Sequence, residues 1–144
     1  MKYVFKTDRL KRYEFPTHIN DLVMDRSEAT ASEVFVVIVE PGKGAPLHKH
    51  DDTEQIFHIL EGKGTLVIGK EEVAYNVVPG DVVRVPMSTW HSIRAEDGRM
   101  LKYLAIDCFG GKRNADEPTW EDHVRVVCRE RNWSFDQVCK GYVK

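Results

Sequence analysis

Short apolar runs, punctuated by glycine and proline, recur through the middle of this chain. Residues 34–39 read VFVVIV, a continuous and mostly β-branched run that predicts a strand covered on both faces, and Pro41-Gly42 ends it. A second run, residues 56–60 (IFHIL), follows the turn-forming Asp51, Asp52 and Thr53. Residues 65–68, 73–78, 82–85, 91–95 and 103–106 continue the series. Gly69-Lys70 supplies a hairpin turn, Pro79-Gly80 the next reversal, and residues 86–89 a loop. Eight or nine short strands with no helix between them predict an all-β core, an antiparallel sandwich or barrel.

The two ends differ from this pattern. Residues 1–33 form an N-terminal arm of mixed character: an edge strand at 3–5, a break at Phe15-Pro16, a short strand at 18–24, and a turn or one short helix at 25–32. Residues 34–109 hold the barrel. In the extension, residues 110–144, Thr119 caps a helix whose apolar stripe is Trp120, Val124, Val127 and Cys128. Ser134 and Gln137 form a second capping box, with Gly141 as its stop, so two short helices are expected to pack on the barrel or on a partner subunit.

Length and charge narrow the function. A chain of 144 residues makes one domain. Its 21 basic and 23 acidic residues leave a formal net charge of −2, which offers no electrostatic footprint for nucleic acid or an anionic membrane. The N-terminus has no apolar segment of signal-peptide type, and no run is long enough to span a bilayer. Cys108, Cys128 and Cys139 form no C-x-x-C pattern and read as reduced thiols, so a cytoplasmic location is expected.

The candidate chemistry lies between the first two strands of the barrel. His48 and His50 are two apart, so on extended backbone both imidazoles leave one face and can chelate. A strand returning antiparallel after the acidic turn brings Glu54 or Gln55 beside them. Adjacent strand residues face opposite sides, so only one of the two can point inward. If it is Gln55, Phe57 and Ile59 line the cavity and Ile56, His58 and Leu60 pack outward; periodicity does not choose. His91 follows a strand and a Pro86-centred loop, where a side chain can be presented back into a barrel mouth. His18, His58 and His123 read as structural or solvated, and Arg84 and Arg94 as solvated strand residues.

These residues make the chain resemble a single-domain cupin. The first cupin motif, G-x5-H-x-H-x(3,4)-E-x6-G, is matched by Gly42, His48, His50 and Gly62. The second, G-x5-P-x-G-x2-H-x3-N, is matched by Gly80, Pro86 and His91, with Ser88 and Ala95 at its Gly and Asn positions. The resemblance implies an antiparallel double-stranded β-helix (jelly-roll) barrel and one divalent transition metal ion (Mn, Fe, Co, Ni or Zn) on His48, His50, His91 and an oxygen donor. Six residues back from Gly62 stands Gln55, which the family spacing makes that donor, where the motif has a glutamate. Three imidazoles and an amide leave the ion its full charge, which favours an anionic ligand.

A second, shorter resemblance is to the small cupins that process unsaturated uronates. Asp107, Phe109 and Arg113 stand at spacings of two and four after the last barrel strand. The similarity implies that Asp107 is an acid/base, Phe109 a wall beside Phe57 for the sugar ring, and Arg113 a clamp for the carboxylate. Asp107 as a strand-end cap and Arg113 as a solvated loop residue remain the structural alternative. Three functions follow: an isomerase or tautomerase acting on a small oxygenated anion such as a sugar acid, an Fe(II) dioxygenase, or a non-catalytic small-molecule binding module. A homodimer is expected, because barrel edges and outward apolar residues such as Ile56 and Leu60 need covering.

Overall fold

The computed structural model describes residues 1–111 and 114–143. Among them the order is β1 (Leu10–Glu14), β2 (Ile19–Met24), a 3-10 turn (Arg26–Glu28), β3 (Ser32–Val39), β4 (Thr53–Glu61), β5 (Gly64–Ile68), β6 (Val73–Val77), β7 (Val82–Val85), β8 (His91–Ala95), β9 (Leu101–Phe109), α1 (Trp120–Arg131), α2 (Phe135–Val138) and β10 (Cys139–Val143). The strands make a seven-stranded sheet, β10-β1-β2-β3-β9-β4-β7, and a three-stranded sheet, β6-β5-β8. Every pairing is antiparallel. The all-β architecture read from the sequence is the one the chain adopts.

Alternation along the central strands decides which face is the core. In β9, Leu101, Tyr103, Ala105 and Asp107 are buried while Lys102, Leu104, Ile106 and Cys108 are half-buried on the other face. Phe35, Val37 and Val39 of β3 and Phe57 and Ile59 of β4 join the same core cluster. One member of this inward set carries a carboxyl group: Asp107 occupies a position where the pattern calls for an apolar residue.

The N-terminal third departs from the sequence reading. No strand forms at residues 3–5, where Tyr3 and Val4 are exposed; the first strand is β1, held between β2 and β10. One of the two pairings that hold β1, that with β10, comes from a segment more than a hundred residues away, which local pattern does not show. Residues 25–32 contain the short 3-10 turn, capped by Asp25.

At the other end α1 begins where Thr119 caps it and buries Trp120, Val124 and Cys128 against Tyr13 and Phe35. The second helix is a single turn. Gly141, read as a helix stop, instead lies within β10 at φ 75°, opposite Arg12, next to an irregularity in the β1–β10 register. After Val138 the open edge of β1 offers a full set of backbone partners, and the chain takes them.

Gly62, the last glycine of the first motif, turns the chain from β4 into β5 with φ 81°, and a Cβ there would stand 1.9 Å from the Met100 carbonyl oxygen. Gly69 has a similar φ of 84° with nothing within 4 Å. Replacing each by alanine separates crowding from backbone strain. Gly69→Ala should cost about 1 kcal/mol and Gly62→Ala more than about 3 kcal/mol in urea unfolding; equal losses would contradict this packing.

Candidate metal centre

His48 and His91 are joined backbone to backbone. The His48 N–H donates to the His91 carbonyl at 3.0 Å and the His91 N–H to the His48 carbonyl at 2.8 Å, an isolated antiparallel bridge. The Ser88 N–H donates to the His50 carbonyl at 2.7 Å, and the Ser88 hydroxyl to Asp51 at 2.9 Å. Ser88 has φ 57°, the left-handed backbone that explains a glycine at this motif position; here two hydrogen bonds hold a serine in it. The segment carrying His48 and His50 is thereby fastened to the loop that delivers His91.

The three imidazoles converge. Their ring centroids lie 4.3, 5.1 and 5.6 Å apart, and one nitrogen of each comes within 4.8 Å of the others. His48 Nδ1 lies 2.7 Å from the Pro46 carbonyl oxygen and His91 Nδ1 2.9 Å from that of Thr89. A carbonyl only accepts, so both Nδ1 atoms carry the proton and both Nε2 atoms present lone pairs. Burial lowers the pKa of all three histidines, to about 4 for His50 and His91, and keeps them neutral at pH 7.

Gln55 faces the same interior. Its amide Nε2 donates to Asp107 Oδ1 at 2.9 Å, which leaves Oε1 for another partner. Gln55 Oε1 and His91 Nε2 are both buried with no hydrogen-bond partner among the described residues. A divalent cation uses such lone pairs, so three nitrogens and an amide oxygen fit the transition-metal site that the resemblance implies. Glu54 faces away: its carboxylate accepts from Arg84 at 2.9 Å on the outer surface. Arg94 is likewise exposed, donating to the Gly42 carbonyl.

Behind Gln55 the sheet builds an ionisable row. Gln55 of β4, Asp107 of β9 and Glu33 of β3 stand directly opposite one another in register. Glu33 is 1% exposed and is gripped by Arg26, with Nε to Oε1 at 2.8 Å and Nη2 to Oε2 at 3.1 Å. Arg26 Nη1 also donates to the Glu117 carbonyl at 3.3 Å, and its guanidinium lies over Phe109 at 5.1 Å. Asp107 stands beside this ion pair, and the Arg26 charge acts on its carboxyl as well. Burial, more than any other cause, raises the pKa of both carboxyls, that of Glu33 to about 8, so each is biased toward its protonated form.

These groups border a cavity of about 370 Å³ that reaches from the histidines to α1. Phe57, Asp107 and Phe109 line it as the sequence reading expected; Ile59 is buried in the core outside its lining. Arg113 lies outside the described residues. His18 and His123, read as structural or solvated, are both in the wall. His18 stacks on Phe15 at 5.0 Å, with its Nδ1 2.8 Å from the Thr17 hydroxyl. His123 Nδ1 lies 2.6 Å from Glu117 Oε1 and its ring stacks on Trp120. The signal for His123 was present, since it sits three residues after Trp120 on the helix stripe. Arg26 and Glu33 carried none, because only the strand register brings them to Asp107.

Known proteins agree with this geometry. The family model described as "Cupin domain" matches residues 35–107. The chain belongs to the cupin family. Quercetin 2,3-dioxygenase of Bacillus subtilis is 32% identical over 101 residues, 69% of this chain and 29% of that protein, so the chain spans under a third of that relative's length. Among solved structures, the polyketide cyclase RemF of Streptomyces resistomycificus superposes with a TM-score of 0.65 at 23% identity, covering 80% of this chain and 85% of that one. KdgF of a Halomonas species superposes with a TM-score of 0.56 at 18% identity, covering 79% and 90%. At these identities the two structures establish the shared fold. No helix among the described residues is long and apolar enough to cross a membrane.

The depressed histidine pKa values carry a pH signature for this cupin. Below about pH 6.5 the unfolded chain takes up protons on His18, His50 and His91 that the folded, metal-free chain refuses until about pH 4, which lowers folding stability through that window. The raised pKa values of Glu33 and Asp107 act in the opposite direction and offset part of the fall. The thermal midpoint of metal-free protein should drop between pH 6.5 and 5, and His91→Gln should flatten part of the slope. A midpoint that rises on acidification would contradict the buried, neutral histidines.

Proposed function

We propose that this cupin is a divalent-metal-dependent enzyme that moves a proton on a small oxygenated anion, an isomerase or tautomerase, with His48, His50, Gln55 and His91 as the metal ligands. The observation that carries the reading is the Gln55–Asp107 hydrogen bond, which ties the candidate oxygen ligand directly to a buried carboxyl group. A bound divalent ion supplies Lewis acidity, polarising a carbonyl or hydroxyl oxygen at its open positions. Asp107 takes or returns the proton. Its Oδ1 is fixed by the Gln55 amide, and its raised pKa brings it nearer the neutral range where an acid/base works best. Phe57, stacked on Tyr103 at 4.7 Å, and Phe109 supply flat walls for a ring. Arg113 is the proposed clamp for the substrate carboxylate, and a sugar acid suits all of these parts.

A second reading, an Fe(II) dioxygenase, draws on the 32% identity to quercetin 2,3-dioxygenase and on the aromatic lining of the cavity. We further propose a homodimer, supported by Leu60 and Val82, which leave apolar surface exposed at the β4 and β7 side of the barrel.

Asp107→Asn keeps an oxygen to accept from Gln55 while removing the titratable group. On an unsaturated uronate it should lower kcat by about 10²- to 10⁴-fold with metal content unchanged. Full turnover by the variant would overturn the proton-transfer role. Oxygen uptake that requires both iron and substrate would move the assignment to the second reading.

A further inference from the structure

Four buried side-chain polar atoms have no hydrogen-bond partner among the described residues: Gln55 Oε1, His91 Nε2, Asn20 Oδ1 and Trp120 Nε1. All four residues line the same cavity. A buried polar atom left unpaired costs about 1–3 kcal/mol, so a group of them on one void has a common cause. The first two are the proposed metal ligands. The other two need a different occupant, because an indole N–H has no lone pair to give a cation.

Asn20 and Trp120 are each 7% exposed and are held firmly. Asn20 stands on the inner face of β2, opposite Tyr13 of β1 and Val37 of β3. Trp120 opens α1, with its ring 4.3 Å from Phe35 and edge-on to Tyr13 at 6.3 Å. Its backbone N–H donates to Asp25, at 3.2 and 3.3 Å from the two carboxylate oxygens. Leucine at 20 and phenylalanine at 120 would fill these places and strand no polar atom, so packing does not account for them. His18, just before β2, lines the same wall between Asn20 and His48.

We propose that Asn20 and Trp120 form a hydroxyl-binding subsite, which holds the far edge of a hydroxylated six-membered ring whose near edge reaches the three histidines. Asn20 Oδ1 accepts a hydrogen bond and Trp120 Nε1 donates one, and hydroxyl groups are the substituents that answer both. The surrounding Phe35, Phe15 and Val37 give the ring an apolar bed. Two ring chemistries share this description, a pyranose sugar acid and a polyhydroxylated phenol. The subsite rests on the proposed site for its link to the metal, but its two orphaned atoms are observed independently of any turnover.

The test is ligand binding to the zinc-loaded full-length protein by calorimetry, with an unsaturated uronate, catechol, and benzene as the ring without hydroxyls. At least one hydroxylated ring should bind, and Trp120→Phe and Asn20→Leu should each weaken it by about tenfold while leaving benzene unaffected. Tighter binding of the uronate assigns the ring to sugar acids; tighter binding of catechol assigns it to phenols. The thermal midpoint of ligand-free Trp120→Phe should equal or exceed that of the parent, which shows that the loss is in binding and not in folding. If neither hydroxylated ring binds, or if both variants bind it as tightly as the parent, the two atoms hold water only and the subsite is overturned. Because binding is read without turnover, a failed Asp107 experiment would remove the reaction and leave this result standing.

Discussion

Two carboxyl groups, Glu33 and Asp107, stand side by side in the wall of the barrel, and the Arg26 guanidinium grips the first of them. A buried acid is tolerated only if its charge is matched or its proton retained: Arg26 grips Glu33, and burial raises the pKa of both carboxyls toward the protonated form. Much of the surrounding structure follows. The 3-10 turn after β2 exists to present Arg26, and Asp25, which caps that turn, also takes the first N–H of α1. The Glu117 carbonyl binds the same guanidinium, so the helix that roofs the cavity is moored to the acid pair. On the other side the free oxygen of Asp107 orients Gln55. Removing Arg26 or Glu33 from their buried ion pair leaves the other charge stranded, at a cost of about 3–5 kcal/mol.

The barrel was legible in the sequence because its strands announce themselves locally. VFVVIV in β3 and the alternation of β9 need no partner to be recognised, and Pro41-Gly42, Gly62 and Pro79-Gly80 mark where the chain must turn. The histidines were legible for a similar reason, since H-x-H places two rings on one face and a spaced motif supplies the third. What escaped was everything decided by register. β1 and β10 become strands by pairing with each other. Glu33 meets Asp107 because β3 and β9 align there and not one residue along. His18, just before β2, and His123, on α1, both line the cavity because β2 and α1 close over the same mouth.

The electrostatic character of the centre comes from one residue choice. With Glu54 facing out and paired to Arg84, the donor facing the histidines is a neutral amide. A carboxylate at position 55 would cancel half the charge of a divalent ion and would stand beside Asp107, adding a third acid to a row that already holds two buried carboxyls. Gln55 avoids that repulsion and donates to Asp107 instead, which is why an amide suits this barrel where the family motif has a glutamate. Were a divalent ion held as proposed, the same choice would leave its positive charge available to an anion.

The central claim is that His48, His50, His91 and Gln55 form one metal site. Its most direct test is metal stoichiometry, by elemental analysis of protein purified without chelator or added metal, run beside His48→Ala and Gln55→Ala. The account predicts close to one divalent transition metal per chain in the parent, none in His48→Ala, and affinity reduced about ten- to a hundredfold in Gln55→Ala. A parent that holds no metal even after reconstitution, or a Gln55→Ala variant that holds it as tightly as the parent, would contradict it.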